Sequence, residues 1–324
     1  MRQFKENYRP DSAPDSSALA TADPRWKVAV TGASGLIGSE LVRALRANGH
    51  RVLRLVRTPP AASGEVFWDP ADGRIDAAKL EGIDAVIHLA GENVGKRWSR
   101  AQKRRIRESR TRGTQLLSRT LAGLSSPPAV LVSASAVGIY GSRGEERLDE
   151  DSAPGEGFLA EVVQEWEASA EPARDAGIRV VHPRLGVVMS RGGGVLQRLL
   201  LPFRLGLGGR AGSGEQWMSW ISLADAVDAI RFAMGAEGIS GAMNVTAPGA
   251  VTNAEFAEVF GRVLRRPTLL PVPAGVLRLG LGTEMASETL LASQRVVPRV
   301  LLVNGFHFQH PEIESALRAA LRAP

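Results

Sequence analysis

Residues 27–38 read Lys27-Val28-Ala29-Val30-Thr31-Gly32-Ala33-Ser34-Gly35-Leu36-Ile37-Gly38, and the next ten, 39–48, repeat apolar residues at helical spacing before Gly49. A short apolar strand therefore runs into a glycine-rich turn that opens a helix. Glycine at 32 permits the tight turn, glycine at 35 lets a pyrophosphate approach the backbone, and glycine at 38 lets the helix pack closely on the strand. The helix start offers free N–H groups and the positive end of its dipole to phosphates. Gly32, Ser34, Gly35, Leu36, Ile37 and Gly38 are thus the expected phosphate cradle of a dinucleotide site. Taken alone a glycine triplet says little, but here it lies between a first strand and a first helix, the context the motif requires.

Outward from this turn, strands alternate with helical stretches. The second strand is Arg51–Val56, and the residue at its end sets the cofactor. An acid there would accept hydrogen bonds from the ribose 2′-hydroxyl of NAD; the chain has Arg57, followed by Thr58-Pro59-Pro60. A guanidinium suits a 2′-phosphate, so NADP(H) is expected. Two further strands, 85–89 and 129–133, end at Leu89-Ala90-Gly91 and at Ser133, the ends that line the ligand crevice of such a sheet. The expected fold is α/β: a doubly wound parallel sheet over residues 25–190, with 215–245 returning to it. Residues 191–214 and 246–324 form a smaller C-terminal α/β substrate lobe.

The 324 residues are 44% hydrophobic and 23% charged, ample for a globular core. A net charge of +6 raises the question of a polyanionic partner. Residues 96–119 hold ten Lys/Arg and one acid, whereas residues 145–175 hold eleven acids and two Arg. The two stretches cancel, and with 35 Arg to 5 Lys the basicity reads as coding bias. No nucleic-acid partner is expected. The two stretches should form neighbouring helices, 96–119 with Ile106, Leu116 and Leu117 turned inward and roughly 158–176, whose opposite charges pair within or between subunits of a monomer or homodimer. The chain has no cysteine, and its five histidines show no metal-ligand spacing, so no metal is expected. No apolar run is long enough to span a membrane, and no membrane partner is expected. Residues 1–24 lack the apolar centre of a signal peptide and read as a disordered tail, which makes the expected location cytoplasmic.

T-G-A-S-G-L-I-G at 31–38, H-L-A-G at 88–91 and S-A-S-A-V-G-I-Y-G at 133–141 resemble the extended short-chain dehydrogenase/reductase superfamily. A narrower resemblance rests on E-N-V at 92–94, R-W-S followed by a K-x-x-I-x-x-S-R pattern, F-L-A-E-V-V-Q-E-W-E at 158–167, L-P-F-R-L-G-L-G-G at 201–209 and G-S-G-E-Q-W-M-S-W-I at 212–221. N-V-T-A-P-x-x-V-T-N-A-E-F at 244–256 and L-L-A-S-Q-R-V-x-P at 290–298 complete it. These are similar to the atypical epimerase-like family, labelled nucleoside-diphosphate-sugar epimerase or, in older usage, cell-division inhibitor. The resemblance spans about residues 27–322 and implies a nicotinamide cofactor reached from Arg110 and, after the strand near 178–182, from Arg184.

Members of the superfamily use a Tyr as acid/base and a Lys four residues later that lowers its pKa, since a phenol near pKa 10 is a poor base at neutral pH. This chain has two tyrosines, Tyr8 and Tyr140, with Gly144 four residues after the second, and its last lysine is Lys103. Where the resemblance places the pair, Phe158 and Val162 stand. Three candidates for proton handling remain, each with a plainer alternative. Ser135 faces the crevice or bonds the backbone, Tyr140 acts on substrate or packs, and Glu161 acts or lies on a solvated helix face. In the second half, Arg204 and Arg210 flank a glycine-rich loop suited to an anionic small-molecule substrate, and Trp217 and Trp220 stack on a flat ligand or pack in the core. Ser222 and Thr252 read as helix N-caps. The function implied is an NADP-dependent oxidoreductase or epimerase-like enzyme, with a catalytically quiet NADP-binding sensor or interaction protein as the alternative.

Overall fold

The computed structural model describes residues 25–322, so the tail expected at 1–24 lies outside the described residues. Seven parallel strands form the main sheet: β1 (Lys27–Thr31), β2 (Arg51–Val56), β3 (Glu65–Asp69), β4 (Ala85–His88), β5 (Val130–Ser133), β6 (Arg179–Leu185) and β7 (Gly241–Val245). Their order is β7-β6-β5-β4-β1-β2-β3; two short strands complete the sheet, Arg74–Ile75 antiparallel to β3 and Ser135–Ala136 parallel to β6. The order reverses between β1 and β4, in register from Val28 opposite Ala85 to Thr31 opposite His88. That switch point is where a doubly wound sheet opens a crevice. β1, β4 and β5 are almost wholly buried, as strands covered on both faces must be.

One face of the sheet is covered by α1 (Leu36–Ala47) and α6 (Leu223–Gly235), which bury Leu41, Leu45, Ala229 and Ile230 against Val28, Val30, Ile87 and Val132. Each fully buried Leu or Ile contributes about 1.5–3 kcal/mol. The other face carries α2 (Arg100–Ala122), α3 (Phe158–Ala168) and α4 (Glu171–Asp175), with Leu117, Leu121 and Ala173 packed on Ala29, Val86 and Leu131.

Two expectations shift at this point. α2 starts at Arg100, not at residue 96, because Ser99 caps it by accepting from the Gln102 amide and Trp98 turns back to donate to the Val94 carbonyl. The single helix expected over 158–176 is broken at Ser169, whose amide and hydroxyl both bond back to the Glu165 carbonyl, and a new turn starts with Pro172 in its first turn. Basic and acidic helices do lie side by side, and Arg107 pairs with both Glu161 (2.9 Å) and Glu165 (3.5 Å) within the chain.

The remainder builds α5 (Gly194–Arg204), α7 (Asn253–Leu264), α8 (Ala274–Leu281), α9 (Thr283–Glu288), α10 (Arg299–Val303) and α11 (Ile313–Arg322). Phe203, Phe256 and Phe260 form its own core with Leu196, Trp220 and Leu317. Thr252 and Glu255 make a reciprocal capping box on α7, and Ser222 caps α6.

Candidate functional site

The glycine turn is shaped by contacts that no side chain survives. Gly32 has φ +66°, and a Cβ there would lie 2.8 Å from the Leu89 carbonyl carbon; a Cβ on Gly38 would lie 2.1 Å from the Gly32 oxygen. The β4 end and the α1 start are therefore both drawn onto the β1 end. Gly35 is the N-cap of α1 and no side chain caps that helix, so its first amides keep free hydrogen-bonding capacity. Ser34 and Gly35 are exposed, Leu36 and Ile37 half-buried.

A second bank of the crevice is fixed by Thr31 and His88. The Thr31 hydroxyl accepts from the amides of Leu89 (3.1 Å) and Ala90 (3.2 Å) and lies 2.7 Å from His88 Nδ1. Having two donors already, it directs its own hydrogen to Nδ1. The Nε2 proton then goes to Thr114 Oγ1 at 3.0 Å, which also accepts from Trp166 Nε1 at 2.9 Å. Burial, with the Arg110 charge adding to it, pushes His88 down to about 4, so it is neutral at pH 7 and works as a pin between β1, β4 and α2.

Arg110 lies under the same loop. Its Nη1 donates to the Glu92 carbonyl (3.0 Å) and the Ile106 carbonyl (3.2 Å), and its guanidinium is 5.0 Å from the Trp166 ring. Burial lowers it to about 10, still a cation at neutral pH. Gly91 is needed above it, since a Cβ there would meet the guanidinium carbon at 3.3 Å. Ser109 accepts from the Glu92 amide. Arg57, at the end of β2, is exposed and forms no ion pair with a described residue, whereas Arg54 pairs with Glu65.

The strand ends beyond β4 differ. Ser133 is fully buried and its hydroxyl has no partner among the described residues. Ser135 donates to Glu167 Oε1 at 2.5 Å; Glu167 accepts from Arg184 Nε and Nη2, both at 2.9 Å. Arg184 Nη1 donates to the Tyr140 hydroxyl (2.9 Å), which donates to Asn244 Oδ1 (2.7 Å). Burial raises the Glu167 carboxyl, but the bidentate Arg184 outweighs it and the net shift is downward. For Arg184 burial opposes the charge and Glu167 outweighs it, leaving the guanidinium raised. Tyr140 is raised, chiefly by burial.

The three proton-handling candidates do not come together: Ser135 and Tyr140 belong to this network and Glu161 to another face. Ser135 is 2% and Tyr140 0% exposed, and both hydroxyls are hydrogen-bonded within the network. Glu161 sits on the outer face of α3, ion-paired to Arg107. Phe158 and Val162 are buried with Ile106 against Val94, Trp98 and Leu159. Glu288 of α9, which no sequence signal picked out, accepts from the amides of Phe158 (3.0 Å) and Leu159 (2.8 Å). Gly157, at φ +106°, makes room for that carboxylate. A cavity of about 570 Å³ opens beside it, lined by Lys103, Arg104, Arg107 and Phe158 together with Glu161 and Glu284. Of the tryptophans, Trp220 is core, while Trp217 donates to Glu145 and is covered by Arg295 at 4.2 Å. Arg204 is exposed, and Arg210 lines a separate pocket of about 300 Å³ with Thr268 and Leu269.

Comparison with known proteins agrees with this architecture. Residues 28–246 match the model of the NAD dependent epimerase/dehydratase family, and residues 272–320 match a domain of unknown function, DUF1731. An epimerase family protein of Mycobacterium bovis is 47% identical over 298 residues, covering 92% of this chain and 98% of that protein. The crystal structure of human epimerase family protein SDR39U1 with NADPH superposes with a TM-score of 0.84 at 37% identity, over 92% of this chain and 100% of the other. A nucleoside-diphosphate sugar epimerase from Corynebacterium glutamicum gives 0.76 at 37% identity, over 91% of this chain and 58% of that one. The chain belongs to the NAD dependent epimerase/dehydratase family, as an atypical epimerase-like member of the short-chain dehydrogenase/reductases.

Proposed function

We propose that the protein is an NADP(H)-dependent, epimerase-like oxidoreductase that works without a Tyr-x-x-x-Lys pair. The observation that carries this reading is the cradle at the switch point: a helix start with no side-chain cap, two glycines whose Cβ atoms would strike backbone, and at the end of β2 a guanidinium with no ion pair to a described residue. The shape and the donor set fit a phosphorylated dinucleotide. The α1 amides at Leu36, Ile37 and Gly38, with Ser34 and Gly35, would hold the pyrophosphate, and Arg57 the 2′-phosphate. Leu89, Ala90 and Gly91 would form the wall, with Arg110 fixing that wall from below. Ser133 and Arg184 act, in this reading, through the walls and not by contact. The NADPH in the human relative supports the choice of cofactor.

When bound, the cofactor supplies hydride transfer; the protein's own part is orientation and exclusion of water. Phe158 and Val162, read as standing where relatives carry Tyr and Lys, offer no group that exchanges a proton, and Phe158 borders a cavity edged by Lys103, Arg107 and Glu288. No proton reaches substrate from them, so proton exchange falls to solvent or to the substrate itself. The same observation favours a second reading, an NADP(H)-binding protein with slow or no turnover that serves as a sensor or interaction module. A small-molecule substrate and a cytoplasmic site of action belong to the first reading.

Fluorescence titration tests the core of the proposal. NADPH is expected to bind more tightly than NADH, and Arg57→Ala to remove that preference. Equal binding of both, or tighter NADH, overturns it. NADPH oxidation across a panel of carbonyl compounds separates the two readings.

A further inference from the structure

Nine large apolar residues are strongly exposed among the described residues, and seven of them fall in two stretches: Leu201, Leu205 and Leu207, then Leu269, Leu270, Val276 and Leu279. The two stretches form one rim. Arg266 Nε donates to the Arg204 carbonyl (2.8 Å), the Val272 amide donates to the Arg210 carbonyl (2.8 Å), and the Gly212 amide donates back to the Val272 carbonyl (2.9 Å).

The exposure is not incidental to a marginal helix. α5 buries Leu196, Leu200 and Phe203 on one side, and the opposite side, which an ordinary surface helix makes polar, carries Leu201 and Leu205. α8, Ala-Gly-Val-Leu-Arg-Leu-Gly-Leu, has no buried residue, and Leu279 and Leu269 are 82% and 84% exposed. The charge on the rim is predominantly positive, with Glu258 of α7 beside Arg210 and Leu269 and already paired to Arg262. Residues 191–214 and 264–283 contain seven Arg and no Asp or Glu. Arg204, Arg210, Arg265 and Arg278 form no ion pair with a described residue.

We propose that this rim docks the protein on an anionic lipid bilayer, with the leucines entering the boundary between headgroups and acyl chains and the arginines meeting lipid phosphates. Protruding leucines flanked by unpaired cations are the signature of an interfacial surface. A second copy of the chain fits less well, because a two-fold contact sets the same patch against itself and would bring Arg against Arg. No helix among the described residues is long and apolar enough to cross a membrane, so the association is peripheral. The expectation of no membrane partner is replaced by this proposal. Docking has a direction: Arg198, on the same face of α5 as Leu201 and Leu205, donates to the Gly95 carbonyl at 2.7 Å, in the loop that follows the crevice strand β4. The lip of the crevice then lies against the bilayer.

Co-sedimentation of the full chain with vesicles is the test. Vesicles containing phosphatidylglycerol should bind it and pure phosphatidylcholine vesicles should not, and binding should weaken as salt shortens the Debye length from about 10 Å to about 3 Å. Leu269→Glu and Leu279→Glu should each lower vesicle affinity roughly tenfold or more, the loss expected from withholding one leucine side chain. Leu302→Glu, in an exposed leucine outside the rim, should change nothing, and unchanged thermal unfolding of all three variants keeps folding out of the result. No binding to either vesicle, equal binding to both, binding that ignores Leu269→Glu and Leu279→Glu, or a concentration-dependent dimer abolished by Leu279→Glu would overturn the proposal.

Discussion

The two halves of the sheet's C-terminal edge use polar groups in opposite ways. Around β1 and β4, the α1 amides have no side-chain cap, Ser34 and Gly35 are exposed, and Arg57 has no counter-ion among the described residues. Around β5, β6 and β7, Ser135, Glu167, Arg184, Tyr140 and Asn244 satisfy one another in a buried chain. Hydrogen-bonding capacity left open is available to a ligand, whereas capacity already consumed holds strands together. Residue type alone does not separate the two, since Ser and Arg appear in both: Ser34 and Arg57 in the open half, Ser135 and Arg184 in the closed one.

That contrast is breakable. The largest effect should come from Gly38→Val, whose side chain would overlap the Gly32 carbonyl; NADPH binding should fall more than about 100-fold, read by fluorescence titration, and a variant that still binds normally would break the geometry of the open half. In the closed half, Glu167→Ala leaves Arg184 buried without its partner and should cost about 3–5 kcal/mol in urea unfolding. Replacing both, with Arg184→Met, should recover part of that loss.

A third effect depends on pH. His88 titrates near 4 when folded and near 6.5 when unfolded, so the unfolded chain binds the extra proton between those values. Stability should therefore fall with decreasing pH across that window, by at most about 1.4 kcal/mol per unit for this group. His88→Gln should flatten the dependence there, and an unchanged slope would remove the pin from the argument. Arg57→Ala comes next, with roughly tenfold weaker NADPH binding and NADH unaffected, as expected for one charge-assisted phosphate contact. The smallest is Arg107→Ala: its pairs with Glu161 and Glu165 are exposed, so thermal unfolding should register only about 0.2–1 kcal/mol, and less at high salt.

The open half was legible because its signals are local. Five strand residues, a glycine turn and a helix within 22 positions define the cradle, and Arg57 follows directly on the second strand. Caps at Ser222 and Thr252 were equally local and hold as read. The closed half was illegible for the converse reason. Tyr140 meets Asn244 across 104 positions, and Arg184 and Glu167 belong to different elements, so no periodicity or spacing marks the network. Ser135 and Tyr140 drew attention through a motif, although burial decides what their hydroxyls do. The break at Ser169 was visible in principle, as Pro172 is a residue that starts helices and interrupts them. His88 carried a weaker sign, a polar residue ending an apolar strand, whose partners Thr31 and Thr114 come from 57 and 26 positions away.

The cap that Glu288 places on α3 also orders events during synthesis. Phe158 and Leu159 lie some 130 residues ahead of the carboxylate that accepts their amides, and Gly157 is shaped to receive it. A chain emerging from its N-terminus can lay down β1 to β6 before that carboxylate exists, so the first two amides of α3 gain this acceptor only when the C-terminal lobe packs.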